Sequence, residues 1–231
     1  MSRKRITKKQ LKEDAFVSAT FEAGHFIQEN LTKLILGTVG VLALAGAIWL
    51  FINYRFERRQ DAGLAMFKAQ GLYMNGQFAL AASDFEKLIG DYSGTEQARK
   101  AEFFAGDSRF KAGEYDQALT HFQKCREEMS HSDPLWLNCM VGLAATYEEQ
   151  KNLQQASDTY REALQAATYD YQKIEIMSDL SRVLAMDGRN EEALQVMDQA
   201  IKDYPDNPRT GEIIELRAEL VAKALGAANN G

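Results

Sequence analysis

Between Lys33 and Arg55 the chain runs for 21 residues, Leu34 to Tyr54, without a charged side chain. As a helix rising about 1.5 Å per residue, that stretch spans roughly 30 Å, the thickness of a bilayer's hydrocarbon core. A cleaved signal peptide has a short basic start and then only about 7–15 apolar residues. Here 33 residues come first, and no A-x-A site closes the apolar run. The pattern predicts a retained transmembrane helix over 34–54 rather than a signal peptide or a buried soluble helix, with Trp49 and Tyr54 as interfacial anchors. Upstream, residues 1–33 form an N-terminal arm in which Leu11, Phe16, Val17, Phe21, Phe26, Ile27 and Leu31 recur at helix-compatible intervals among charged residues. Residues 55–61 read as a linker or as the start of the first helix beyond the membrane.

Past that point the pattern is periodic. The motif G-x-aromatic-x-x-A-x-x-x-aromatic appears as Gly76, Phe78, Ala81, Phe85 and again as Gly113, Tyr115, Ala118, Phe122. Weaker copies follow as Lys151, Leu153, Ala156, Tyr160 and as Gly188, Asn190, Ala193, Met197. Their first positions are 37, 38 and 37 residues apart, which is one helix pair per unit. Each residue type has a mechanical reason. Gly supplies the turn between helices, Ala lets the paired helix approach, and the large residue four positions later fills the groove toward the next unit. Pro205 stops the last pair, and residues 207–231 read as a capping helix with a disordered tail. With three prolines and no run of alternating β-branched residues, the class is all-α: a single transmembrane helix, an α-solenoid of about four helix pairs over 62–206, and the cap.

These positions are those of tetratricopeptide repeats, and the chain resembles that family over roughly residues 60–206. The order of parts, a basic arm, one span and a short acidic repeat domain, resembles the YfgM-like ancillary subunit of the bacterial Sec translocon. That resemblance implies a bacterial inner-membrane protein with its repeats in the periplasm, touching the translocon and a membrane-anchored chaperone that handles unfolded clients. The implied activity is protein binding as a chaperone-associated adaptor, not catalysis. A cytoplasm-facing receptor for targeting signals and a structural subunit of an envelope assembly are the alternatives.

Charge bears on orientation and excludes one partner class. Residues 1–59 carry a balance of +5 and residues 60–231 one of −11, which together make the chain's −6. An acidic repeat domain is a poor match for nucleic acid, whose binding depends on Lys and Arg displacing counterions from phosphates. Arg3, Lys4, Arg5, Lys8, Lys9, Lys12 and Lys33 favour an N-terminus held in the cytoplasm; Arg55, Arg58, Arg59 and Lys68 pull the other way from closer to the span. The expected topology is N-terminus inside and repeats outside.

Candidate sites follow. In the span, Gly37, Gly40, Ala43, Gly46 and Ala47 recur at three- and four-residue spacings, which suits close helix–helix packing and equally the ordinary Gly/Ala content of membrane helices. The tetratricopeptide resemblance implies a concave partner-binding face at Met66, Gln70, Tyr73 and Met74, then Phe103, Asp107, Phe110 and Lys111, then Asn138, Val141 and Glu148, then Ser178 and Arg182; a register shifted by one position would instead make Tyr73, Phe103 and Phe110 ordinary packing residues. The basic and Asn residues with which some members of that family clamp a terminal carboxylate are absent there. Cys125 and Cys139 flank a helix turn, and read either as a disulfide in an oxidising compartment or as two small packing residues. No nucleotide loop, zinc spacing or nucleophile motif appears, so no cofactor, metal, catalytic residue or small-molecule substrate is expected.

Overall fold

The computed structural model describes the backbone of residues 8–229 and the side chains from Val17 to Lys223, apart from Ala19 and Ala23. The basic cluster at Arg3–Arg5 and the last two residues of the expected tail lie outside the described residues. All regular structure among the described residues is α-helix. The elements are α1 (Lys8–Met74), α2 (Phe78–Asp91), α3 (Glu96–Lys111), α4 (Tyr115–Glu128), α5 (Pro134–Glu149), α6 (Leu153–Ala166), α7 (Asp170–Met186), α8 (Asn190–Asp203) and α9 (Pro208–Asn229).

The chain divides into two units, residues 1–57 and 58–231. The first is helical over its described part, and its apolar residues from Leu34 to Tyr54 are exposed throughout. It holds the only segment among the described residues that is long and apolar enough to cross a membrane. Gly37, Gly40 and Gly46 face open space, and Ala43 and Ala47 are exposed beside them.

The second unit is the solenoid. Each pair consists of a first helix (the last part of α1, then α3, α5 and α7) and a second helix (α2, α4, α6 and α8), and α9 closes the end against α7 and α8. The repeated motif explains the packing. Ala81, Ala118, Ala156 and Ala193 are all fully buried, because a methyl is what the close approach of the paired helix leaves room for. The large residues four positions on, Phe85, Phe122, Tyr160 and Met197, are buried as well and fill the space between successive pairs.

Turns are set locally. Gly76, Gly113 and Gly188 take φ of 73°, 77° and 76° just past the first helices, the left-handed conformation that lets the chain reverse. In the third unit Lys151 takes the same role at φ 60°. Thr95 caps α3 by accepting a hydrogen bond from the Ala98 N–H, and Asp133 caps α5 with Pro134 at its first position.

Candidate partner-binding groove

The first helices α3, α5 and α7 line a groove of about 400 Å³ closed at one end by Arg209 of α9. From α3 it takes Phe103, Asp107 and Phe110; from α5, Leu137, Asn138, Val141, Gly142 and Ala145; from α7, Tyr171, Gln172, Glu175, Ile176 and Asp179. Its floor exists because position 142 has no side chain. A Cβ there would fall 2.4 Å from the Phe122 ring, so glycine lets that buried aromatic lie across α5. Phe103 in turn packs against Phe122 and Phe104, with ring centroids 6.3 and 5.2 Å away.

Over this apolar floor lies a row of carboxylates, each held by a cation. Lys111 donates to Asp107 at 2.8 Å, and Tyr73 donates its hydroxyl to the same carboxylate. Burial and that bond to Asp107 both push the Tyr73 phenol up; for Lys111, burial opposes the charge but the bonds to Asp107 and Tyr73 outweigh it, and its pKa is raised. Arg209 meets Glu175 at 3.3 Å, and Arg182 donates to Asp179 at 2.8 Å. Burial pushes the Asp179 carboxyl up to about 6, against the pull of Arg209 and with the help of Glu175. Tyr171 stacks on Tyr169 at the groove's end, and both rings are largely exposed.

Five of the residues named from sequence line the groove: Phe103, Asp107, Phe110, Asn138 and Val141. Tyr73 and Lys111 reach it through Asp107. The others lie elsewhere. Met66 is buried in one cluster with Ala69, Ala81 and Phe85, outside the groove. Gln70 is half-buried, and Met74 is exposed outside the groove. Glu148 is buried in an ion pair with Arg182. On α7 the groove takes Glu175, Ile176 and Asp179 in place of Ser178. Glu175 lies one repeat length, 37 residues, beyond Asn138 and was legible by that offset; Tyr171 and Arg209 lie outside the motif and left no signal.

Two further features tie the units together. Cys125 of α4 and Cys139 of α5 are joined as a disulfide, with Cα atoms 6.0 Å apart and both side chains fully buried. Arg109 makes a two-pronged contact with Glu86 at 2.7 and 2.8 Å, holding that carboxyl below its usual range. Among the described residues no group of three or more His, Cys, Asp or Glu side chains is arranged to hold a metal.

These features define a tetratricopeptide-repeat α-solenoid, a fold that serves as a scaffold for protein interaction. Residues 97–169 and 140–206 match the tetratricopeptide repeat family. Solved structures agree on the fold. The nearly identical TPR-like repeats of a Podosopora anserina protein of the kinesin light chain type superpose with a TM-score of 0.62 at 14% identity, covering 74% of this chain and 90% of that one. Pseudomonas aeruginosa pilF gives 0.57 at 15% identity, covering 74% and 72%. The Rap conjugation gene regulator of plasmid pLS20, in complex with the Phr* peptide, gives 0.52 at 17% identity, covering 70% of this chain and 48% of that one. At such identities the likeness is one of fold. No curated protein matches the chain by sequence.

Proposed function

We propose that the chain is a membrane-anchored binding scaffold whose α3–α5–α7 groove takes a segment of another protein, as an adaptor beside a protein translocation machine with its repeats outside the cytoplasm. The observation that carries this reading is the groove itself. Phe103, Phe110, Val141 and Ile176 offer apolar lining, and Asp107, Glu175 and Asp179 offer acceptors beside it. An apolar floor with a few placed polar groups is what a peptide-binding site requires. The Rap regulator, which shares the fold, has a structure in complex with a peptide, which supports occupancy of such a solenoid by a short segment. The Cys125–Cys139 bond supports an oxidising compartment for the repeats, since buried structural disulfides persist outside the reducing cytosol. The uncharged segment 34–54 supplies the anchor.

The test is site-specific photocrosslinking from Val141 in intact membranes, with Lys87 on the outer face of α2 as the control position. Capture of translocon components or translocating chains from Val141 alone supports the adaptor. Capture from neither position, or equally from both, overturns it. Protease protection in sealed vesicles separates this topology from a cytoplasm-facing receptor, which would leave residues 60–231 open to digestion from the cytoplasmic side.

A further inference from the structure

The opening helix of the solenoid exposes apolar side chains at positions that the later units cover wholly or in part. Counting by the repeat lengths, Leu64 corresponds to Ala101, Cys139 and Ile176, all buried, whereas Leu64 is 70% exposed. Phe67, 77% exposed, corresponds to Phe104, Gly142 and Asp179, each half-buried. In those units the second helix of the preceding pair supplies the cover. Phe104 stacks on Phe85 at 5.4 Å, Gly142 lies under Phe122, and Cys139 is bonded to Cys125. No pair precedes the first unit, so Leu64, Phe67 and Gly71 remain exposed, and Met74, at a position exposed in every unit, extends the apolar row.

Lys68 decides which kind of cover fits. Its equivalents Ala105, Leu143 and Leu180 are buried, so a lysine there keeps out another full helix pair of the solenoid type. It lies instead along the helix flank and meets Asp84 of α2 at 2.9 Å. The exposed apolar positions 64, 67, 71 and 74 follow a three-four-three spacing, the seam against which a single helix packs.

We propose that this seam is covered by the same seam of a second copy, so that residues 64–74 of two chains pair in parallel. The proposal rests on the membrane anchorage argued above. Two copies anchored by the same span begin this segment ten residues past Tyr54 and emerge on the same side, which aligns like with like: Leu64 against Leu64, Phe67 against Phe67, Met74 against Met74. Gly71 allows the two backbones to approach. Lys68 is neutralised within its own chain by Asp84, so no unpaired like charges meet across the seam. Confinement to one bilayer raises the effective concentration that so short a seam needs.

Full-length protein carrying Gly71→Cys, oxidised in its own membranes, tests the pairing. The expected product on a non-reducing gel is a species of twice the 26.0 kDa chain mass, absent with Ser83→Cys on the outer face of α2. Adding Phe67→Glu, which alters a largely exposed side chain, should reduce that product at least tenfold while the circular dichroism spectrum stays unchanged. No product from Gly71→Cys, equal product from Ser83→Cys, or an adduct with a different protein overturns the pairing. Alkaline carbonate extraction of the same membranes reports the anchor separately: release of the chain overturns the anchorage, whereas loss of the crosslink in a chain that resists release overturns the seam alone.

Discussion

His121 Nδ1 on α4 lies 2.7 Å from Oε2 of Glu102 on α3, and the Glu102 side chain is almost wholly buried. The other ring nitrogen faces Glu86 of α2 at 3.2 Å, so one imidazole bridges three consecutive helices. Among the described residues, Glu102 meets no other partner. Substituting His121→Leu leaves that carboxyl buried without a hydrogen bond, at an expected cost of about 3 kcal/mol in urea unfolding. The double variant His121→Leu with Glu102→Leu should recover most of the loss, because no stranded polar group then remains.

Gly142 is a packing glycine, not a flexible one. In a helix, Gly→Ala ordinarily stabilises by about 1 kcal/mol. Here the added methyl would sit 2.4 Å from the Phe122 ring, whose surroundings are closed. Gly142→Ala is therefore expected to destabilise by about 1–3 kcal/mol, measured by thermal unfolding, and Phe122→Leu in the same chain should relieve part of it.

Lys151 offers the opposite sign. It holds φ 60° where the other three units have glycine. A left-handed conformation costs an L-residue with a Cβ about 1 kcal/mol, so Lys151→Gly should raise stability by up to that amount, less the entropy glycine adds to the unfolded chain. A fall in melting temperature would contradict this account of the turn.

The Cys125–Cys139 bond spans a sequence separation of 14. Closing a loop of that size is worth about 3 kcal/mol in the unfolded ensemble. The double substitution Cys125→Ala with Cys139→Ala should lower stability by about that much. Protein taken from cells under denaturing conditions with a thiol-reactive polymer should show no modification before reduction and two additions after it.

Two carboxyls give the pH dependence opposite slopes. Hydrogen bonding from Arg109 depresses Glu86, so its contribution is present above its unfolded pKa of about 4.3 and is lost as pH falls through the lower folded value. Asp179 is raised to about 6. Its contribution is full below its unfolded value of about 3.9 and is lost as pH rises toward 6. Asp179→Asn removes that loss, so the variant should gain about 1 kcal/mol relative to the parent at pH 8 compared with pH 4, by urea titration; the 2.8 Å contact from Arg182 holds the gain below the full shift.

The helix pairs were readable from Ala and large residues at fixed spacing because their chemistry is local and repeated. Ala81, Ala118, Ala156 and Ala193 occupy equivalent positions, and burial is the same in each. The same held for the glycine turns, since φ preference acts on residues one at a time. Which side chains share the groove was another matter. Met66 and Glu148 carry the same kinds of side chain as residues that line the groove, yet one is buried in the cluster with Ala81 and Phe85 and Arg182 engages the other. Arg209 joins Tyr171 and Asp179 of α7 only because α9 packs back against that helix, a contact between distant segments that no single repeat encodes.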